Sequence, residues 1–201
     1  MDYDEMYRKN PDLWKKEPSK ILTLALQEIN EPGKFLDLGC GQGKDSIFMS
    51  NLGFESVAID SSIIAINRLN EVIAENKFPR IKTFVDDIAN FHIDTDTYDV
   101  IACIDTLPFL EKDTAPRIIE TIKGGTKKGG LIILTAFTTL DPSYCIPKNK
   151  KLFVTYFEIN EMLGLFHDFH IIHYFEGCVR FEKAIKNENQ CHNVVRIIAR
   201  K

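Results

Sequence analysis

Three glycines at alternating positions, Gly39, Gly41 and Gly43, close the stretch Phe35-Leu36-Asp37-Leu38-Gly39-Cys40-Gly41-Gln42-Gly43. An apolar strand pattern over 34–38 precedes them and a short helical pattern over 45–52 follows. Only glycine lets a backbone turn this tightly after a strand, and only glycine lets a ligand lie against the main chain without meeting a Cβ. One glycine would suit a plain strand-to-helix turn, but three in this position point to a turn that cradles a ligand.

The rest of the chain alternates in the same way. Helical spacing over 19–30 carries Ile21, Leu22, Leu24, Ala25 and Ile29, and Pro32-Gly33 stops it. Strand patterns cover 56–59, 81–85, 98–104 and 131–136, and helical patterns cover 62–76 and 113–123. The almost wholly apolar run 131–136 belongs in the middle of a sheet covered on both faces. Such alternation predicts an α/β chain with a doubly wound, mostly parallel sheet. The last third differs: a polar loop over 138–151 and a helix near 158–165, then strands over 169–175 and 194–199 joined by a charged link, 182–190. This predicts an antiparallel hairpin finishing an otherwise parallel sheet.

Composition narrows the function classes. The 201 residues suit one domain, and 44% hydrophobic with 27% charged residues is ordinary for a globular protein. No apolar run approaches the roughly 18–20 residues of a membrane helix, and the polar N-terminus has no signal-peptide core. The formal charge of -4, without a long basic run, argues against nucleic acid as a partner. Five cysteines with no C-x-x-C pair suggest free thiols in a reducing cytoplasm. His167, His170 and His173 lack accompanying acid or cysteine spacing, so no metal site is expected.

The ligand of the glycine turn follows from its surroundings. A dinucleotide fingerprint is G-x-G-x-x-G, whereas here the third glycine comes one position early and Lys44 stands in its place. A P-loop would end G-K-[ST], but Gly43-Lys44 is followed by Asp45. Asp37, just inside the strand end, would repel a pyrophosphate and attract an ammonium group. Asp60 ends the second strand, where a carboxylate can accept from both hydroxyls of a ribose. Asp86-Asp87-Ile88 ends the third, where an acid can accept from an exocyclic adenine amine. Each Asp alone is more often a turn or cap residue. Three at the carboxyl ends of neighbouring strands describe a ligand with an amino acid end, a ribose and an adenine but no phosphate, and S-adenosylmethionine fits.

These residues resemble the class I S-adenosylmethionine-dependent methyltransferases. L-D-L-G-C-G-x-G is like their first motif, Asp60 matches their ribose acid, and Asp87-Ile88 matches their adenine pair. Lys127-Lys128-Gly129-Gly130 is similar to their K-P-G-G, with Lys128 in place of proline. Within the class the chain is most similar to the tellurite-resistance (TehB-like) and related small-molecule thiol methyltransferases, through Gly43-Lys44-Asp45-Ser46, the segment from Tyr98 to Leu110, and the ending Ile198-Ala199-Arg200-Lys201.

The resemblance implies a Rossmann-like, seven-stranded fold and an enzyme with product S-adenosyl-L-homocysteine. Its expected cofactor-binding residues are Asp37, Gly39, Cys40, Gly41, Gly43, Asp60, Ser61, Asp87, Ile88 and Cys103. Residues 1–18, with Tyr3, Tyr7 and Trp14, are expected to form a lid over a single domain, 19–201. The implied reaction is direct in-line methyl transfer to a small molecule, a chalcogen oxyanion (tellurite or selenite) or a thiol. Alternatives are an oxygen or nitrogen acceptor on another metabolite, or a non-catalytic module that binds S-adenosylmethionine. The acceptor side should draw on Asp105, on the loop around Tyr144 and Cys145, and on Glu176, Arg180 and His192 of the hairpin. Asp105, Arg180 and His192 are the expected catalytic residues, since Arg can chelate an oxyanion and His titrates near neutrality. A monomeric or homodimeric, cytoplasmic protein is expected.

Overall fold

The computed structural model describes residues 3–10, 17–78, 80–147, 153–180 and 191–201. Its sheet is assembled from β1 (Lys34–Leu38), β2 (Glu55–Asp60), β3 (Ile81–Val85), β4 (Tyr98–Cys103), β5 (Thr126–Phe137), β6 (His170–Arg180) and β7 (Cys191–Arg200). The helices are α1 (Tyr3–Lys9), α2 (Lys20–Ala25), α3 (Lys44–Asn51), α4 (Ile63–Asn76), α5 (Thr114–Gly125) and α6 (Glu161–Leu165). The strand order is β3-β2-β1-β4-β5-β7-β6. The first five strands in that order run parallel, and β7 is antiparallel to both neighbours. This is the Rossmann-like sheet with a terminal hairpin that the sequence predicts. Strand order reverses between β1 and β4, and open α/β sheets bind ligands at such a switch point.

Period-two alternation sends the strand side chains into two cores. Leu36, Leu38, Ile101, Cys103, Ile132, Leu134, Val195 and Ile197 pack under α5 and α6 with Ile118, Ile119, Met162 and Phe166. Phe35, Val100, Ala102, Leu131, Ile133 and Ile198 pack on the other face with Ile21, Leu22 and Ala25 of α2 and Met49 of α3. On that same side Ile66 and Leu69 of α4 cover Ala58 and Ile81. The α4 start is capped because the Ser62 hydroxyl accepts from Ala65 N at 3.1 Å.

Several expectations are corrected. The strand expected over 131–136 is longer, because β5 already begins at Thr126 and runs to Phe137. A register shift opposite Tyr98–Val100 absorbs the glycines, and a Cβ on Gly130 would lie 2.9 Å from Asp99 O. Residues 3–9 are helical despite a weak apolar pattern. Acids in the first turn, bases in the last, and a 2.6 Å Lys9–Glu5 pair support this short helix. The cysteines are not all free: Cys178 and Cys191, on adjacent strands with Cα atoms 5.6 Å apart, are joined in a disulfide, while Cys40, Cys103 and Cys145 are free. Trp14 and the charged link 182–190 lie outside the described residues. Among the described residues no helix is long and apolar enough to cross a membrane.

Candidate active site

The glycine turn sits at the carboxyl end of β1, and its three glycines all have left-handed backbones, φ 76°, 54° and 79° at Gly39, Gly41 and Gly43. Gly39 N and Cys40 N both donate to Ile59 O, at 2.8 and 2.9 Å, fastening the turn to β2. Gly43 N donates to Cys40 O at 2.9 Å and closes it. A Cβ on Gly39 would lie 2.1 Å from Thr106 Oγ1, and one on Gly43 would lie 2.4 Å from Leu69 Cδ1. Close approach of neighbouring elements therefore adds to the conformational reason for glycine.

Carboxylates surround this turn. Asp37 is 4% exposed and accepts from Ser46 Oγ at 2.6 Å. Asp45, in the first turn of α3, is equally enclosed and accepts from Ser19 N and Ser19 Oγ, both at 2.7 Å. Burial, then the charge of Asp45, pushes the Asp37 carboxyl up to about 7, against the pull of Ser46. Burial also raises Asp45. Neither Asp45 nor Ser46 was singled out from the sequence as part of the site. Their helical position was legible, but their partners are not sequence neighbours.

Asp60 ends β2 half-buried. Its Oδ2 accepts from Gly41 N at 2.7 Å and its Oδ1 from Ser62 N at 2.8 Å. Burial raises its carboxyl despite both bonds. Each oxygen keeps a second acceptor direction, so the group can hold a diol while it holds the loop. Ser61 beside it is exposed. After β3, exposed Asp87 accepts from Ala89 N at 2.9 Å while Ile88 turns into the core. Phe84 and Val85, 44% and 49% exposed, leave an apolar strip next to Asp87 at the strand end. Cys40 packs its thiol against Ala58, Ile66 and Leu69, and burial raises its pKa well above the usual thiol range. Cys103 is completely enclosed, so it backs the crevice from the core rather than lining it.

Asp105 follows β4, exposed and with a left-handed backbone, φ 57°. Such a conformation costs a non-glycine residue on the order of 1 kcal/mol and persists where its surroundings hold it. Here Thr135 does so: Asp105 N donates to Thr135 Oγ1 at 2.6 Å, and that hydroxyl donates to Asp105 Oδ1 at 2.7 Å. His192 lies on β7 with Nδ1 3.0 Å from Asp141 Oδ2, its ring centroid 5.4 Å from that of Phe137. Arg180 ends β6 with its backbone opposite Cys191, and its side chain lies outside the description. Glu176 faces Asn160 N, 3.1 Å from each carboxylate oxygen, so it caps the approach to α6. Tyr144 meets Tyr156 edge-on with centroids 5.2 Å apart, and Cys145 beside it is exposed.

The N-terminal helix α1 bridges these parts. Ser62 Oγ donates to Asp4 Oδ1, Gln42 Nε2 donates to Asn10 O at 3.3 Å, and Tyr3 meets Phe109 edge-on at 5.1 Å. Phe109 continues through Phe153 to Phe137, with centroids 5.3 and 4.4 Å apart, so an aromatic row runs from Tyr3 to His192. Burial first, then the charges of Asp105 and Asp60, push the Tyr3 phenol up to about 12.

Geometry and kinship agree. The family profile described as "Tellurite resistance protein TehB" matches residues 5–197. The chain is 32% identical over 164 residues to a protein of Haemophilus influenzae named "Probable S-adenosyl-L-methionine-dependent methyltransferase TehB", covering 81% of this chain and 55% of that one. The crystal structure of TehB from Haemophilus influenzae superposes with a TM-score of 0.80 at 28% identity, covering 98% of this chain and 67% of that one. A methyltransferase from Methanosarcina mazei shares the fold, with a TM-score of 0.71 at 19% identity, over 89% of this chain and 96% of that one. The chain spans about half the length of the curated TehB relative it matches.

Proposed function

This chain belongs to the TehB tellurite-resistance family, and from that premise we propose that it is an S-adenosylmethionine-dependent methyltransferase acting on a small molecule. The observation that carries this reading is the pairing of Asp60 with the glycine turn. A carboxylate that fastens Gly41 N and still has acceptor capacity suits a ribose. A cradle ringed by Asp37, Asp45 and Asp60 suits a cationic ligand and disfavours a pyrophosphate. Left-handed glycines that leave no Cβ over the turn suit close approach of an amino acid tail. These residues fit the cofactor.

Asp60 holds the ribose hydroxyls, with Ser61 at its edge. Asp87 and the apolar strip at Phe84 and Val85 receive the adenine, and Ile88 anchors that turn in the core. Gly39, Cys40, Gly41 and Gly43 supply backbone to the amino acid end, while Asp37 beneath them supplies negative potential toward its ammonium. When bound, S-adenosylmethionine would supply an electrophilic methyl group, to which the acceptor would bond in line as the C–S bond breaks and S-adenosylhomocysteine leaves. Of the expected lid, residues 1–18, the described helix α1 closes over the crevice, with Tyr3 and Asp4 as its contacts, and excludes water. Asp105 and His192 face the acceptor, which we take to be a chalcogen oxyanion or a thiol; the Arg180 side chain lies outside the described residues.

Calorimetry with S-adenosylmethionine, S-adenosylhomocysteine and NAD tests the cofactor, with binding expected for the first two alone. A labelled-methyl assay over tellurite, selenite, thiols and phenols tests the acceptor. Transfer confined to phenols would remove the chalcogen reading, and binding without any transfer would favour a sensor.

A further inference from the structure

Strand β7 carries a cation that the reading above does not use. Val195, Ile197 and Ala199 enter the core under α5 and α6, whereas Val194 and Ile198 lie on the opposite face. Arg196 lies between those two on that face. It is in register with Thr135 of β5 and Phe175 of β6. Among the described residues its half-buried side chain makes no hydrogen bond and no ion pair. Partial burial of a guanidinium without a counter-charge is unfavourable. Such a charge is available to a ligand that neutralises it.

The neighbours indicate the chemistry. Thr135, 3% exposed, is a polar residue in an otherwise apolar strand segment, and its hydroxyl holds both Asp105 N and Asp105 Oδ1. Arg196, Thr135 and Asp105 therefore form a polar strip across β7, β5 and β4, walled by Phe137, Val194 and Phe175. The strip begins at Asp105, beside the crevice: Thr106, the next residue, packs on Gly39. On the crevice side Asp37, Asp45, Asp60 and Asp105 repel an anion. On the far side of Thr135 the guanidinium reverses the sign. Adjacent strands are ~4.8 Å apart, within reach of an arginine side chain, and its planar fork suits paired oxygens.

We propose that Arg196, with Thr135 beside it, seats an anionic oxygen group of the methyl acceptor. This rests on the methyltransferase reading above and deepens it: the acceptor is a small anion held by the β5–β7 face.

The test titrates selenite, mercaptoacetate and 2-mercaptoethanol calorimetrically into the full chain saturated with S-adenosylhomocysteine. Mercaptoacetate and 2-mercaptoethanol share a thiol and differ in the carboxylate. The wild type is expected to bind both anions more tightly than 2-mercaptoethanol. Arg196→Gln is expected to weaken the anions by about tenfold or more relative to the neutral thiol, and Arg196→Lys by less. A wild type without preference for the anions, or an unchanged preference in Arg196→Gln, overturns the seat. If Arg196→Gln also loses S-adenosylhomocysteine, it has failed to fold, and the wild-type preference with the Arg196→Lys comparison decides. If the wild type itself does not bind S-adenosylhomocysteine, the methyltransferase reading fails, and the seat with it.

Discussion

Asp141, its side chain completely buried, lies with Oδ2 3.0 Å from Nδ1 of His192. The same oxygen accepts from Asn193 N at 2.8 Å, and Oδ1 accepts from Ser143 N at 2.9 Å and from the Ser143 hydroxyl. Two backbone donors and the Ser143 hydroxyl thus converge on this one carboxyl group, whose oxygens accept from them. The His192 ring is held to the same carboxyl group through Nδ1.

Asp141→Asn turns an amide donor toward those donors. Unfolding in urea should show a loss of about 1–3 kcal/mol. His192→Ala leaves Asp141 with its other donors, so it should lower turnover with the preferred acceptor by about tenfold or more while cofactor affinity changes little. A larger effect on cofactor affinity than on turnover would remove His192 from the acceptor side.

Asp60→Ala should weaken S-adenosylmethionine by roughly 1.5–3 kcal/mol, since it removes charged hydrogen bonds to the ligand. It also frees Gly41 N and Ser62 N, so hydrogen exchange at both amides should rise. Unchanged affinity in calorimetry would show that the ribose lies elsewhere.

Gly39→Ala meets two obstacles. A left-handed alanine costs about 1 kcal/mol, and its Cβ would press on Thr106 Oγ1 and Cγ2 at 2.1 and 2.4 Å. Thermal unfolding should show the single variant well below wild type. Adding Thr106→Ala should recover part of the loss, and the conformational part should persist. Simple additivity of the two changes would mean that this contact is not the cause.

The Asp37 carboxyl, pushed up to about 7 in the folded chain from an ordinary 3.8, sets a pH dependence. The folded state holds its proton more tightly than the unfolded state does. That contribution to stability is therefore complete below pH ~4 and is lost as pH rises through ~7. Without ligand, Tm should fall between pH 5 and 8, and Asp37→Asn should flatten the fall. Affinity for S-adenosylmethionine should rise over the same window as the carboxylate forms beneath its ammonium. A variant profile as steep as wild type would assign the dependence to another group, with Asp45, raised in the same sense, the first to examine.

Tyr3→Ala removes the ring that meets Phe109 edge-on. If residues 1–18 act as a lid, stopped-flow measurement should show faster cofactor dissociation with little change in the association rate. An unaltered dissociation rate would argue against the lid.

Local rules determined much of this protein from sequence alone. Alternation of apolar residues set the order of strands and helices, and the run L-D-L-G-C-G-Q-G placed a left-handed turn after β1, because periodicity and φ are properties of neighbouring residues. Asp60 and Asp87 could be read for the same reason, as acids at or just past the carboxyl end of a strand. Tertiary structure alone decided which distant residues complete the site. Asp141 reaches His192 across 51 positions, Thr106 reaches Gly39 across 67, and Arg196 meets Thr135 through the register of two antiparallel strands. Cys178 pairs with Cys191 and α1 settles beside Ser62 for the same reason. Register and long-range hydrogen bonds depend on how the whole sheet closes, and no window of the sequence contains that information.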